Sequence, residues 1–282
     1  MTRTPWTDLP ADARRAVEHT IGPVRSAVTP RAGVMSACVT RLVTDAGAYF
    51  AKGTPADAPD AWTYRHEFRV VGHVHAAPLP LWEAEGGGWR FYGYSILPGR
   101  HADFAEGSPD LGPVVEALAR LSAMPWPTEI SKRPLRERLA PFTPEGAGSA
   151  LAGSALTHSD LGERNILVDG RTVGLVDWAL SCPGPGWADA ALWVPRLIAA
   201  GHGFRSAHAL ALAVPAYAEA DPDALAVFAR TVRSFWEHRA TVDPLPHRAA
   251  LVAAAREWER AAGRQEPPPA PPRPYRSGLG SP

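Results

Sequence analysis

The segment Asn165–Asp177 constrains the fold of this chain more than any other. Two short apolar stretches, Ile166–Val168 and Val173–Val176, are separated by a turn that contains Asp169-Gly170. An Asp-Gly pair between two such stretches predicts a β-hairpin with a tight turn. Because a hairpin returns its ends to the same place, the first and last residues of the segment are expected to lie side by side.

Both ends of this predicted hairpin carry oxygen donors. The amide of Asn165 and the carboxylate of Asp177 are hard ligands that suit Mg²⁺, whose remaining positions would be filled by phosphates and water. Asp160 comes five residues before Asn165, so a third oxygen-bearing side chain should lie beside the metal, where a hydroxyl nucleophile would be oriented. A hairpin that merely has polar ends is the alternative interpretation.

At these residues the sequence resembles the aminoglycoside phosphotransferase and kinase-like family. The HxDxxxxN pattern of the family is matched by His158, Asp160 and Asn165, and its Asp-Phe-Gly equivalent by Val176-Asp177-Trp178. The resemblance implies that Asp160 is the catalytic base and that Asn165 and Asp177 bind Mg²⁺. It also implies ATP as the donor and the hydroxyl group of a small molecule as the acceptor.

The same resemblance implies two supporting residues. His158 would brace the catalytic loop. Asp189, which follows the metal-binding residues, matches an aspartate that organises this loop in the family. An ordinary acidic residue at a helix N-terminus is the alternative for Asp189.

An upstream lysine and glutamate are expected to belong to the nucleotide site. Lys52 and Lys132 are the only lysines among 29 basic residues. A compact ammonium group fits beside nucleotide phosphates where a wide guanidinium group does not, and Tyr49–Lys52 is similar to the kinase strand that carries such a lysine. Glu67 lies at the edge of the apolar face of a predicted helix and is the expected partner of Lys52; a solvated edge residue is the alternative.

The other nucleotide contacts have weaker signals. The sequence between Val28 and Val39 has a single glycine, Gly33, and lacks the GxGxxG pattern of protein kinases, so the Ser36 hydroxyl and backbone amides are expected to bind the phosphates instead. The stretch 92–97, with Tyr94 and Ile96, is predicted to form a hinge whose backbone hydrogen-bonds the adenine.

The chain as a whole predicts an α+β, bilobal, protein-kinase-like fold. Residues 1–97 would form a small β-rich lobe with one αC-like helix, residues 98–264 a larger and mainly helical lobe, and residues 265–282 a disordered proline-rich tail. The predicted helices are Asp8–Ile21, Asp60–His75, Ser108–Met124, Ala188–Ala200, Ala207–Glu219, Pro222–Thr241 and His247–Ala262.

Composition excludes several function classes. The formal net charge is zero and no run of basic residues occurs, so neither nucleic acid nor a membrane is an expected partner. No stretch reaches the roughly 20 apolar residues of a membrane-spanning helix, and a cytoplasmic protein is expected. Cys38 and Cys182 are too few for a disulfide framework and are predicted to be buried thiols.

The acceptor is only coarsely predicted. From Pro141 onward acids and arginines are about equal in number, so a field that would attract a polycationic aminoglycoside is not expected. An antibiotic, an amino alcohol or a sugar-like metabolite are the candidate acceptors. Late aromatic residues would line the pocket or pack in the core: Trp193, Phe235, Trp236 and Trp258.

Two other functions fit the same residues. A kinase that acts on serine or threonine of a peptide would have the same fold but an open groove. A catalytically inactive nucleotide-binding protein would keep the fold without phosphate transfer.

Overall fold

A computed structural model describes residues 3–30 and 36–263 of the chain. It has a small β-rich N-terminal lobe and a larger, mainly helical C-terminal lobe, which confirms the predicted α+β kinase-like fold. The predictions for Gly33 and for the tail 265–282 lie outside the described residues.

The N-terminal lobe is built on a five-stranded antiparallel sheet with the strand order β1-β2-β3-β5-β4. Two helices flank the sheet. The elements of this lobe are α1 (Ala11–Ile21), β1 (Ser26–Val28), β2 (Cys38–Thr44), β3 (Gly47–Pro55), α2 (Ala61–Val71), β4 (Pro80–Gly86) and β5 (Trp89–Tyr94).

The alternation of side chains along the strands gives this sheet two buried faces. Phe91 belongs to the smaller core cluster on the α1 side, whereas Tyr92 and Tyr94 belong to the large cluster on the α2 side. On β3, Ala51 packs in the α1 cluster. Lys52, the next residue, therefore projects toward α2.

The C-terminal lobe begins with β6 and contains the remaining helices and two small sheets. Its elements are β6 (Arg100–His101), α3 (Leu111–Ser122), α4 (Leu135–Arg138), β7 (Ala155–Thr157), β8 (Ile166–Asp169), β9 (Thr172–Leu175), β10 (Cys182–Gly184), α5 (Ala188–Ala199), α6 (Phe204–Leu212), α7 (Pro215–Ala218), α8 (Pro222–Val242) and α9 (Pro246–Ala262). The sheets have the orders β6-β8-β9 and β10-β7.

The predicted hairpin is present as β8 and β9. Its register runs from the pair Ile166 and Leu175 to the pair Asp169 and Thr172, and Gly170 adopts φ 59° in the turn, which favours glycine. The peptide N–H of Val176 donates to the carbonyl of Asn165 at 2.9 Å, so the pairing extends one step past the last strand residues.

One predicted helix is wrong as a single element. The stretch Ala207–Glu219 contains the end of α6 and all of α7, with a break between them. Val214 has extended backbone angles, φ −91° and ψ 115°. This follows from Pro215, whose ring disfavours a helical conformation at the residue before it and fits the first position of a new helix.

The packing of the core shows where several side chains named in the sequence analysis lie. Trp193 and Trp258 are fully buried in the large cluster, while Phe235 and Trp236 pack at its edge. Cys38 and Cys182 are buried and unpaired, as predicted. Over the described ranges, no helix has the length and apolar character required to cross a bilayer.

Candidate active site

Lys52 lies at the centre of an ion-pair cluster between the lobes. Its Nζ donates to both carboxylate oxygens of Glu67 at 2.8 Å and to Oδ1 of Asp177 at 3.0 Å. Glu67 also accepts the peptide N–H of Trp178 at 3.1 Å. The structure therefore brings the predicted lysine and glutamate together and joins them to the predicted metal-binding aspartate.

The charges in this cluster are coupled: burial, together with the carboxylate of Asp177, raises the pKa of Glu67 against the opposing effect of Lys52. Burial opposes the charge of Lys52, but the carboxylates of Asp177 and Glu67 outweigh it and hold the pKa of the ammonium group above its usual value. The ammonium group in turn lowers the pKa of Asp177 against the opposing effect of burial. Lys52 and Asp177 are thus both charged at neutral pH.

Asp177 occupies a backbone position that few non-glycine residues adopt. Its φ is 68° and its ψ 62°, in the left-handed region, two residues after the end of β9. Aspartate and asparagine tolerate this region better than most residues. The turn places Oδ1 of Asp177 on Lys52 and starts the 3₁₀ turn Trp178–Leu180, whose first peptide N–H contacts Glu67.

The catalytic-loop residues Asp160 and Asn165 contact each other. The amide Nδ2 of Asn165 donates to the backbone carbonyl of Asp160 at 2.7 Å and lies 3.4 Å from its Oδ2. These contacts fix the orientation of the amide group and leave Oδ1 of Asn165 directed away from the loop carbonyl. The predicted base and one predicted metal ligand are therefore held in one rigid turn.

The loop is anchored from behind by His158 and Asp189. Asp189, in the first turn of α5, is buried, and its two oxygens accept the N–H groups of His158 and Ser159, each at 2.7 Å. Nε2 of His158 contacts the carbonyl of Val176 at 3.0 Å, and Nδ1 accepts the N–H of Asp160 at 3.3 Å. Burial raises the pKa of Asp189, which these N–H groups oppose.

This arrangement bears on the alternative interpretation of Asp189 as an ordinary acidic residue at a helix N-terminus. A carboxylate that acts only on a helix dipole would be solvated, whereas this one is buried against two loop amides. Because Nδ1 of His158 accepts the backbone N–H of Asp160, Nε2 is the ring nitrogen that donates to the carbonyl of Val176.

The sequence-based prediction missed Arg196. This residue of α5 places Nη2 2.7 Å from Oδ1 of Asp160, and only 18% of its side chain is exposed. Asp189 and Arg196 are seven residues apart on the same helix, so they lie on one face and both contact the catalytic loop. A lone arginine in the otherwise apolar stretch 190–199 was the available signal.

The oxygen donors present fit a cation that takes most of its ligands from a bound nucleotide. In the described part of the chain no three histidine, cysteine, aspartate or glutamate side chains cluster as a complete metal site. Within the described ranges no hydrogen bond uses Oδ2 of Asp177 or Oδ1 of Asn165, so these two oxygens could serve as ligands. One carboxylate and one amide suit Mg²⁺, which keeps water and phosphate ligands.

The remaining predicted nucleotide contacts are placed as follows. Ser36 is half-buried, and the N–H of Ala37, the next residue, donates to the hydroxyl of Tyr64 on α2 at 3.0 Å. The side chain of Tyr94 is buried, and its backbone pairs within the sheet. Ile96 is exposed, and no backbone hydrogen bond among the described residues uses its peptide groups, so they remain available at the predicted hinge.

Comparison with known proteins gives consistent results. A model of the phosphotransferase enzyme family matches residues 135–228, which include the predicted base Asp160 and the predicted metal ligands Asn165 and Asp177. No curated protein matches the chain.

Solved structures resemble the chain over most of its length. An apo thermostable mutant of aminoglycoside phosphotransferase APH(4)-Ia has a TM-score of 0.60 and 14% identity, covering 89% of this chain and 99% of that chain. Choline kinase LicA from Streptococcus pneumoniae has a TM-score of 0.59 and 10% identity, and the match covers 88% of this chain and 98% of that chain. Aminoglycoside phosphotransferase APH(3'')-Id from Streptomyces rimosus has a TM-score of 0.54 and 19% identity, and the match covers 84% of this chain and 96% of that chain.

At these identities the structural matches establish the fold, and the sequence match covers the part of the C-terminal lobe that carries Asp160, Asn165 and Asp177. Together they confirm the resemblance of this chain to the aminoglycoside phosphotransferase and kinase-like family.

Proposed function

We propose that this protein is an ATP-dependent phosphotransferase that moves the γ-phosphate to a hydroxyl group of a small molecule. The observation that carries the proposal is that hydrogen bonds link two groups of side chains at the boundary between the lobes. Lys52 and Asp177 form an ion pair across the lobes, and the loop that carries Asp160 and Asn165 is linked to Asp177 through the carbonyl of Val176 and His158.

Each residue has a distinct role in this proposal. Lys52 binds the nucleotide phosphates, while Asn165 and Asp177 hold Mg²⁺, which would neutralise charge on the phosphates when bound. Asp160 accepts the proton of the acceptor hydroxyl. The acceptor oxygen forms a bond to the γ-phosphorus, the bond from that phosphorus to the β,γ-bridging oxygen breaks, and ADP leaves.

The solved relatives support this choice of chemistry. The APH(3'')-Id structure contains ADP and streptomycin, and a ternary complex of the APH(4)-Ia mutant contains ADP and hygromycin B. A further relative with the same fold is a choline kinase. Each of these proteins pairs the fold with a small molecule that carries hydroxyl groups, and we extend that acceptor class to this chain.

The variant Asp160→Asn tests the proposal without knowledge of the acceptor. It keeps the size of the side chain and removes the charge that orients a hydroxyl group, a function worth about 10² to 10⁴ in rate. Phosphate transfer, and any slow ATP hydrolysis, should fall by that factor, while Mg·ATP affinity changes by no more than a few-fold. Phosphate release and calorimetric nucleotide affinity are measured for both proteins.

The same measurements separate an enzyme from an inactive nucleotide-binding protein. Since Asp160→Asn leaves Arg196 without a counter-charge, the melting temperature of the variant is recorded to show that it is folded. If the parent binds Mg·ATP but neither hydrolyses it nor phosphorylates any acceptor in a broad screen, the proposed function is wrong.

A further inference from the structure

The guanidinium group of Arg196 lies beside the proposed base Asp160, and some of its N–H donors form no hydrogen bond with the described residues. Only Nη2 contacts an acceptor among the described residues, Oδ1 of Asp160. The group lies 5.9 Å from the ring centroid of Trp236 on α8. A Cβ atom on Gly162 would lie 2.7 Å from Nη1, so this glycine leaves the space that the guanidinium group occupies.

Other residues near Arg196 also carry positive charge. Arg164 lies in the same loop as Asp160, is exposed, and forms no ion pair within the described ranges. His247 is in the first turn of α9; after burial, the guanidinium groups of Arg248, Arg164 and Arg196 are the main causes that lower its pKa. The positive charges of Arg164 and Arg196 thus both act at the N-terminal end of α9, and Arg196 contacts Asp160 directly.

Three acids on or next to the neighbouring helices α8 and α9 are paired with arginines. Arg233 and Arg256 bind Glu237, and Arg233 also binds Glu259. At the end of α8, Asp243 is bound by Arg248. The described part of α8 and α9 thus presents no group of free carboxylates that would hold a polycation.

Glu163, next to Arg164, is the exposed acid of the catalytic loop itself. It supplies one negative charge against the two positive charges of Arg164 and Arg196. A cationic acceptor would also have to compete with Arg196 for Asp160, since the two form an ion pair at 2.7 Å. An acceptor that carries an anionic group would instead use the free donors of Arg196.

We infer that the acceptor of this protein carries a carboxylate or phosphate group near its reactive hydroxyl, bound by Arg196 and Arg164 while the hydroxyl lies at Asp160. This inference rests on the proposed function and narrows its acceptor class to anionic hydroxyl compounds. Arginine is suited to the task because its planar group binds carboxylates and phosphates through two parallel hydrogen bonds.

Matched acceptors test the inference directly. Glycerate and glycerol 3-phosphate are compared with glycerol, and gluconate with sorbitol, because each pair differs mainly in the anionic group. Choline, ethanolamine and kanamycin form the cationic set. The parent enzyme should phosphorylate at least one anionic compound with a kcat/KM at least tenfold above its neutral counterpart, and whether carboxylate or phosphate is preferred distinguishes the two anions.

Two variants assign the preference to the arginines. Arg164→Gln and Arg196→Gln should each lower kcat/KM for the preferred anionic acceptor about 10- to 100-fold, the usual loss for a charged hydrogen bond, with a smaller effect on the neutral counterpart. Arg164→Gln does not touch Asp160 and keeps the test interpretable if Arg196→Gln folds poorly. Arg171→Gln, which removes an exposed arginine paired with Glu116, is the matched control.

Three outcomes would contradict the inference. Preferential phosphorylation of choline, ethanolamine or kanamycin would overturn it while leaving the proposed function intact. Equal losses by Arg164→Gln on anionic and neutral acceptors would overturn the assigned contact. Failure of all acceptors, with no ATP hydrolysis by a protein that binds Mg·ATP, would overturn the proposed function and the inference with it.

Discussion

Lys52 shows how one side chain depends on its neighbours at the residue scale. A buried ammonium group is costly unless it is paired, and Lys52 is 8% exposed. Glu67 and Asp177 supply two carboxylates at 2.8 and 3.0 Å. The site is therefore fitted to a compact cation with three donors.

Lys52→Arg is expected to lower phosphate transfer at least tenfold. The variant keeps the charge, but the planar guanidinium group is larger and cannot direct its donors to both carboxylates and to a phosphate in the same confined space. Steady-state kinetics of the parent and the variant measure the effect. Lys132→Arg is the control, since Lys132 lies over the exposed ring of Trp62; near-parental turnover by Lys52→Arg would remove Lys52 from the site.

Arg196 marks the limit of prediction from sequence at this scale. Lys52, Asp160 and Asp177 were identifiable because each lies in a short local pattern. The pairing of Arg196 with Asp160 joins residues 36 positions apart and depends on how α5 packs behind the loop. The helical spacing to Asp189 indicated its face, but only the packing of the lobe shows what that face contacts.

The same contrast holds for whole elements. The hairpin β8–β9 was predictable because its turn and its strands are adjacent in sequence. The break between α6 and α7 was overlooked although Pro215 supplies the signal, because the apolar periodicity continues across it. The strand order of the N-terminal sheet, with β5 between β3 and β4, follows from long-range pairing that no local pattern specifies.

The helix α2 links the lobes through a second buried side chain, His66. Its Nε2 lies 3.0 Å from both the carbonyl and the hydroxyl oxygen of Ser181 in the C-terminal lobe. Its ring stacks on Trp126, with centroids 5.9 Å apart. Burial, assisted by the positive charge of Lys132, lowers the pKa of His66 from 6.5 to about 4.

This contact predicts a pH dependence of stability. Below pH 6.5 the unfolded chain binds a proton at His66 that the folded chain does not bind until about pH 4, so His66 makes the folded state progressively less stable over that interval. Between pH 6.5 and pH 4, the free energy of unfolding of His66→Gln should therefore decrease less than that of the parent. Urea unfolding at several pH values measures it, with the exposed His75→Gln as control; parallel curves for His66→Gln and the parent would contradict the assignment.

At the scale of the whole molecule, the cleft is held by contacts that cross between the lobes. Lys52 on β3 contacts Asp177 after β9, and Glu67 on α2 contacts the peptide N–H of Trp178. A nucleotide bound here would contact both lobes at once. Binding should therefore stabilise the entire fold and depend on the residue that supplies the metal ligand.

Asp177→Ala is expected to abolish Mg²⁺-dependent ATP binding, because it removes the proposed carboxylate ligand while Lys52 keeps Glu67 as its partner. For the parent, Mg·ATP at 100 times its Kd should stabilise the folded state by about 2.7 kcal/mol, a rise in Tm of about 5 °C for a chain of this size. The variant should show no such rise, and calorimetry should detect no Mg²⁺-dependent binding. Asp169→Ala removes an exposed aspartate at the opposite end of the same hairpin and should keep the parental shift. An undiminished shift in Asp177→Ala would show that this residue does not hold the metal.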